Sequence, residues 1–183
     1  MMDLSPELAV LNDVARRLDG AAIPYMLTGS LAMNYYAQPR MTRDIDLVIA
    51  VQLGEVDALA AAFEHGYYIS KEAAEDAVRR ASLFNVIHNE SVVKVDLVVR
   101  KPDPYRLMEF SRRRSVQVAG FQVWIVSRED LILSKLVWAR PTQSELQLRD
   151  VRNLLTSAVE EDYLKHWAGE LGVQAELENC RDE

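Results

Sequence analysis

The spacing of hydrophobic residues along the chain changes between a helical pattern and a strand pattern, and this divides the chain into predicted helices and strands. Apolar residues recur every three or four positions in several segments, which predicts helices over 5–19, 30–38, 55–66, 71–81 and 104–114. Short runs rich in β-branched residues predict strands over 23–29, 44–51, 82–89, 92–100, 115–118 and 121–126. From position 127 the helical period returns over 127–140, 144–159 and 161–172, with Pro141 separating the first two segments. The pattern predicts an α+β body followed by a helical C-terminal third.

Residues at the ends of these segments support the boundaries. Ser5 is a typical N-cap and Pro6 a typical first residue of a helix, and Gly20 is a typical end. The residues Asn89-Glu90-Ser91 join the strands over 82–89 and 92–100, which predicts an antiparallel hairpin with a three-residue turn.

Length and composition favour a single soluble domain. At 183 residues the chain has the size of one domain, and we expect a core over 1–127 with a helical region over 128–183 packed on it as a single compact unit. The single cysteine, Cys180, excludes an internal disulfide and a cysteine-rich zinc site. The N-terminus has no basic stretch before an apolar core, and no apolar run approaches the roughly 18–20 residues that span a bilayer. We therefore expect a cytoplasmic protein.

The net charge of −7 is unevenly distributed. The segment 159–183 contains eight acidic and two basic residues, so most of the excess negative charge lies there and the rest of the chain is nearly neutral. The overall charge therefore does not exclude a polyanionic partner.

Three aspartates on predicted strands carry the clearest chemical signal. Asp44 and Asp46 lie two positions apart at the start of the strand over 44–51, so their side chains point to the same face. Neighbouring carboxylates repel each other unless a cation lies between them, and carboxylate and phosphate oxygens are the ligands that Mg²⁺ prefers. Asp96 interrupts an otherwise apolar strand, where an unpaired acid is costly to bury.

A Gly-Ser pair lies where a predicted strand ends and a predicted helix begins. Gly29 allows the backbone to approach a ligand closely, and the N–H groups of the helical turn that starts at Ser30 favour an anion. Alone this junction is weak evidence, because many folds contain one.

Each of these features also has a purely structural interpretation. An aspartate pair is common at a turn or a strand edge, and Asp96 could instead pair with Lys94 or Arg100 on the same strand face. The combination of the Gly-Ser junction, the aspartate pair and the later aspartate is much less expected by chance. It indicates metal–nucleotide chemistry.

The segment GSLAMNYYAQPRMTRDIDLVI, over 29–49, resembles the signature of the polymerase-beta-like nucleotidyltransferase superfamily. It contains Gly-Ser, a short helix and then, over 40–47, a lead-in of the form Arg-x-Thr-x-Asp-Ile-Asp-Leu. Some relatives carry Gly-Gly where this chain has Gly29-Ser30.

The helical segment 127–155 resembles the corresponding region of a small bacterial branch of that superfamily, which is associated with abortive-infection and toxin–antitoxin loci. Members of this branch often have a lysine in the first helix and an Arg…Asp element in the next, and these are matched here by Lys135, Arg149 and Asp150. The whole resemblance covers roughly residues 24–156.

The resemblance implies a small mixed β-sheet core flanked by helices. It implies an enzyme that moves a nucleoside monophosphate from a nucleoside triphosphate to a hydroxyl and releases pyrophosphate. The cofactor would be Mg²⁺ (or Mn²⁺), held by the catalytic residues Asp44, Asp46 and Asp96, with Asp96 also acting as general base. The resemblance further implies that the nucleotide contacts Gly29, Ser30, Arg43 and Lys135.

The sequence allows several acceptors and several biological partners. The acceptor hydroxyl could belong to an RNA end such as that of tRNA, to a protein, or to a small molecule such as an aminoglycoside or lincosamide. The partner could be a cognate toxin or antitoxin protein, or a second copy of the chain. The alternative to an enzyme is a nucleotidyltransferase fold with weak or no catalysis, retained as an antitoxin or regulatory binding module.

Overall fold

The computed structural model describes residues 4–182, which fold around one seven-stranded sheet. In chain order the strands are β1 Tyr25–Thr28, β2 Ile45–Ile49, β3 Tyr67–Ile69, β4 Leu83–His88, β5 Lys94–Val99, β6 Arg114–Val118 and β7 Phe121–Ile125. The helices are α1 Pro6–Gly20, α2 Gly29–Tyr36, α3 Val56–Ala62, α4 Lys71–Arg80, α5 Pro104–Ser111, α6 Arg128–Thr142, α7 Glu145–Leu155, α8 Glu161–Glu170 and α9 Gln174–Asp182. A single 3₁₀ turn at Leu53–Glu55 precedes α3.

The sheet is mixed, with the strand order β3-β4-β5-β2-β1-β7-β6. β2 pairs with β5, and β1 with β7, in parallel, while the other neighbouring strands pair antiparallel. This arrangement confirms the predicted α+β class and the mixed sheet flanked by helices.

The two faces of the central strands differ in burial. Ile45, Leu47 and Ile49 of β2 are fully buried, as are Val95 and Leu97 of the neighbouring β5. The residues that alternate with them, including the aspartates of both strands, lie on the opposite face and are only half-buried. The sheet therefore places its acidic positions on the more open face, as the alternating pattern predicts.

Side-chain caps fix where several helices begin. Ser5 accepts a hydrogen bond from the backbone N–H of Leu8, as its place before Pro6 predicts. Ser127 accepts one from the N–H of Asp130 at the start of α6. Caps of this kind each stabilise a helix by about 1 kcal/mol.

Three local predictions are wrong. Pro141 does not separate two helices, because α6 continues through it to Thr142 and ends at Gln143, which has a left-handed φ of +48°. A proline in the last turn removes only one late hydrogen bond, so the helix tolerates it there. The connection between β4 and β5 spans 89–93, and not three residues, with Val92 at a φ of +58°. The predicted helix over 144–159 ends earlier, at Leu155.

The helical C-terminal third packs around α6. Most residues of α6 are buried, and it contacts α2, α7, α8 and α9. The last of these helices, α9, was not predicted. No helix within residues 4–182 is long and apolar enough to cross a membrane.

Candidate active site

A row of polar side chains crosses four strands of the sheet. Parallel pairing sets Asp46 of β2 opposite Asp96 of β5, while antiparallel pairing sets Thr28 of β1 opposite Asp46 and Asn85 of β4 opposite Asp96. Because paired residues project to the same face of a sheet, all four side chains share one face, on which Thr28 is buried, the aspartates are half-buried and Asn85 is exposed. The register therefore brings together two aspartates that lie far apart in the sequence.

Asp44 lies just before β2, at the rim of this face, and its side chain is exposed. The loop that leads to it is held against α2, because the side-chain amide of Asn34 exchanges two hydrogen bonds with the backbone of Arg40. The backbone N–H of Asp44 donates to Thr42 Oγ1 at 3.3 Å. These contacts position the first aspartate of the pair beside the second.

Gly29 lies against the carboxyl group of Asp46. Its φ is +65°, and a Cβ atom there would collide with the Asp46 carboxylate and lie only 2.9 Å from its Cγ. Thr28, the N-cap residue of α2, makes no side-chain cap hydrogen bond. The first turn of α2 therefore presents its backbone N–H groups next to the carboxylates, a geometry that suits the binding of a phosphate group beside them.

The environment of Asp46 disfavours its negative charge. Burial is the largest cause, and the charges of Asp96 and Asp44 act in the same direction, so that the pKa of Asp46 is raised to about 6. The positive charges of Lys94 and Lys135 offset this only in part. Such a carboxyl group gains from a cation placed between it and its neighbours.

Asp96 is only partly satisfied by the protein. Its Oδ2 lies 3.1 Å from Nζ of Lys94. This is one of the two pairings on the strand face, with Lys94 or with Arg100, that the sequence suggested as an alternative to a ligand site. Its Oδ1 is buried and has no hydrogen-bond partner. A buried carboxylate oxygen without a partner is costly, so it points to a ligand that the protein alone does not supply.

The carboxylates of the site are suitable ligands for a divalent cation such as Mg²⁺, although the described side chains do not surround one position for an ion. Carboxylate oxygens are the donors that Mg²⁺ prefers, and one of them is unpartnered. Within residues 4–182, however, no three acidic, histidine or cysteine side chains are placed closely enough to hold an ion between them. The exposed position of Asp44 and the contact of Asp96 with Lys94 agree with that spacing.

A second polar cluster links the start of α2 to the C-terminal helices. Arg40 donates to Ser30 Oγ at 2.8 Å and pairs with the carboxylate of Asp150. Lys135 donates to the same carboxylate at 2.8 Å and to Gln147 Oε1 at 3.0 Å. Both Lys135 and Asp150 are 1% exposed, so the lysine is not on a solvated helix face. Burial lowers the pKa of Lys135 despite its bond to Asp150.

Arg43 is separate from this cluster. It is exposed on the loop before Asp44 and lines a cavity of about 680 Å³ between α1, α2 and the β6–β7 turn. Among the predicted nucleotide contacts, the structure therefore brings Gly29, Ser30 and Lys135 near the aspartates and leaves Arg43 at the rim.

Two residues of the site were missed in the sequence. Asn85 belongs to the site because the strand register places it opposite Asp96, and the sequence offers no direct signal for that register. Arg40 is the first residue of the motif that leads to Asp44, but its link to Ser30 and Asp150 depends on the fold.

A comparison with protein families agrees with this geometry. The family described as "Nucleotidyl transferase AbiEii toxin, Type IV TA system" matches residues 14–166, a range that includes all the site residues named above. The chain belongs to this family. The resemblance to polymerase-beta-like nucleotidyltransferases and to their toxin–antitoxin branch is thereby confirmed, and the chain is a nucleotidyltransferase by family.

Solved structures of nucleotidyltransferases share the fold. An antigenic nucleotidyltransferase-like protein from Paracoccidioides brasiliensis has a TM-score of 0.62 and 19% identity, over 96% of this chain and 92% of that one. The antibiotic-resistance factor ANT(2″)-Ia has a TM-score of 0.60 and 17% identity, over 96% of each chain. The lincosamide antibiotic adenylyltransferase LnuA has a TM-score of 0.54 and 15% identity, over 82% of this chain and 96% of that one. No curated protein matches the sequence.

Proposed function

We propose that this protein transfers a nucleoside monophosphate from a nucleoside triphosphate to an acceptor hydroxyl, with Mg²⁺ or Mn²⁺ as cofactor. The observation that carries the proposal is the pairing of Asp46 with Asp96 in register, beside the uncapped start of α2. Carboxylates next to free backbone N–H groups suit a triphosphate that is bridged by a cation.

The site residues have three proposed roles: binding the cation, accepting the proton of the acceptor hydroxyl and binding the phosphates. Asp44, Asp46 and Asp96 would hold the divalent cation, which would supply positive charge to offset the charge of the attacking and leaving oxygens. Asp96 accepts the proton of the acceptor hydroxyl, whose oxygen forms a bond to the α-phosphorus as the bond to pyrophosphate breaks. The backbone at Gly29 and the hydroxyl of Ser30 contact the outer phosphates, and Lys135 and Arg43 add positive charge near them.

The acceptor is proposed to approach along the same face of the sheet. Val48 and Val98 lie two residues beyond Asp46 and Asp96, and they line a cavity of about 120 Å³ with Trp138 of α6. An RNA end, a protein side chain or a small hydroxylated molecule all remain acceptors to be tested. ANT(2″)-Ia and LnuA, which share the fold, are an antibiotic-resistance factor and an adenylyltransferase of lincosamides.

The family also suggests a biological role. We propose that the protein acts in the cytoplasm as the toxin of a type IV system and that a cognate antitoxin protein opposes it. If the wild-type protein bound no nucleoside triphosphate, this result would instead favour the alternative of a catalytically inactive binding module.

Calorimetric titration tests the metal and nucleotide part of the proposal. Each of the four nucleoside triphosphates is titrated with and without Mg²⁺ into the wild-type protein and into an Asp44→Asn, Asp46→Asn double variant. The matched control is Asp57→Asn, Asp76→Asn, which removes two exposed carboxylates from α3 and α4. We expect Mg²⁺-dependent binding in the wild type and the control and none in the site variant. Equal binding in all three would refute the metal site.

Labelled nucleotides test the transfer itself. With the triphosphate that binds best, label at the α-phosphate should appear on an acceptor, and label at the γ-phosphate should appear only in pyrophosphate. Transfer of the γ-label would indicate a phosphoryl transferase and contradict the proposal.

A further inference from the structure

Lys94 lies among the three site carboxylates. It is two residues before Asp96 on β5, on the same face, and its Nζ is 3.1 Å from Asp96 Oδ2. The carboxylates of Asp44 and Asp46 also act on this ammonium group through their charge. The ammonium group therefore occupies the electrostatic field in which a divalent cation would bind.

The two lysines near the site differ in their freedom to move. Lys135 is 1% exposed and is held by Asp150 and Gln147. The side chain of Lys94 is 43% exposed, and its flexible stem can carry the ammonium group back into water at little cost. Lys94 can thus leave the carboxylates, whereas Lys135 cannot.

We propose that Lys94 is the resident counter-ion of the metal-free site and that a divalent cation has to displace it from Asp96. The inference rests on the proposed function, since it concerns the same metal site. Two observations carry it. Lys94 holds one oxygen of Asp96 while the other is buried without a partner, and the described carboxylates are too far apart to form a ready three-ligand cluster.

The consequence is a metal-free site in which the repulsion among the carboxylates is partly relieved and which binds the bare ion weakly. The ammonium group offsets the repulsion among the carboxylates, and it repels an incoming cation by the same Coulomb interaction. Removal of the ammonium group should therefore strengthen metal binding, although it weakens the metal-free protein.

Titration of Mn²⁺ alone into the full chain measures the competition. In Lys94→Gln the dissociation constant for Mn²⁺ should fall by about tenfold, because a like charge has been removed from the site. Lys94→Arg keeps the charge and should retain the wild-type affinity. Lys71→Gln is the matched control, because Lys71 also pairs with an aspartate, Asp57, but on the helices α3 and α4. It should leave Mn²⁺ affinity unchanged.

Thermal unfolding gives a second readout that does not depend on activity. Lys94→Gln should melt at a lower temperature than the wild type in EDTA and should gain more than the wild type on addition of Mn²⁺. In an Asp96→Asn background, Lys94→Gln should lose most of its effect on the melting temperature in EDTA, because the contact that it breaks is already absent.

The outcomes separate this inference from the proposed function. Unchanged or weaker Mn²⁺ binding in Lys94→Gln, with clear binding in the wild type, overturns the role of Lys94 and leaves the metal site intact. An equal drop in the EDTA melting temperature in the Asp96→Asn background also overturns it, because the effect would then not act through Asp96. If the wild type binds no Mn²⁺ even with a nucleoside triphosphate present, the proposed metal site fails together with the inference.

Discussion

Burial and two neighbouring carboxylates act together on Asp46, and all of them disfavour its charged form. Its pKa in the folded protein is about 6, against an ordinary value of 3.8, so the folded state binds this proton more tightly than the unfolded state does. The contribution of Asp46 to the stability of the fold should therefore decrease as the pH rises from about 4 to about 6 and stay low at higher pH.

Replacement of Asp46 by Asn should remove that loss. In EDTA at pH 8, Asp46→Asn should be more stable than the wild type by about 3 kcal/mol, because two units of pKa shift correspond to that free energy. The difference should shrink towards zero near pH 4, where the wild-type carboxyl is protonated. Urea unfolding across this pH range measures it, with the exposed Asp57→Asn as control. A variant less stable than the wild type at pH 8 would contradict the assigned environment.

Gly29 is a second residue whose identity the site requires. Gly29→Ala should lower stability by about 2 kcal/mol through its positive φ and should abolish metal-dependent nucleotide binding, since the new Cβ displaces the Asp46 carboxylate. Gly120→Ala is a matched control, because Gly120 has a φ of +89° but no atom within 4 Å of the added Cβ. It should show the loss of stability and keep nucleotide binding. Normal nucleotide binding in Gly29→Ala would show that the close contact is not needed.

At the scale of elements, the pair of Lys135 and Asp150 joins α6 to α7, and Arg40 ties both to the start of α2. Burial alone would raise the pKa of Asp150, but the hydrogen bonds from Arg40 and Lys135 outweigh it and lower that pKa. The cluster therefore depends on a carboxylate that stays charged.

Asp150→Ala should destabilise the protein by about 3 kcal/mol, because it leaves the ammonium group of Lys135 buried without its charged partner. Glu145→Ala is the control on the same helix, since the side chain of Glu145 is 82% exposed where it pairs with Arg152 and its removal should cost less than about 1 kcal/mol. Urea unfolding compares the two variants. Equal losses would mean that the buried pair contributes no more than a surface one.

The helices and strands that face the core were largely predictable, because their hydrophobic periods are strong. β3 was missed because Tyr67–Ile69 is too short to show an alternation. Of the site, the aspartates and the Gly-Ser junction could be found from local spacing. The pairing of Lys94 with Asp96 also follows from local spacing, since the two lie on one face of a strand. The positions of Asn85 and Arg40 depend on strand register and on loop packing, which no local pattern encodes.

At the scale of the whole molecule, a buried polar network joins the C-terminal helices to α5, where the hydroxyl of Tyr105 donates a hydrogen bond to the backbone carbonyl of Asp130. Asp130 of α6 is fully buried and accepts hydrogen bonds from Ser127 and from Tyr163 of α8. The ring of Trp167 packs against that of Tyr105 of α5, with centroids 5.2 Å apart. Because these groups are buried between the two parts of the chain, neither part is expected to keep its structure when the other unfolds.

The three tryptophans allow a direct test of this coupling, because Trp124 lies within 1–127 and the other two within 128–183. One variant, Trp138→Phe with Trp167→Phe, reports through Trp124, and another, Trp124→Phe with Trp138→Phe, reports through Trp167. Within each variant we expect the urea transition seen by fluorescence to coincide with that seen by circular dichroism, as for one cooperative unit. A fluorescence transition of Trp167 at lower urea than loss of the overall secondary structure would instead establish the helical region as a separate unit. The start of α2 would then lose its link to Asp150 before the core unfolds, and nucleotide binding would be lost at the first transition.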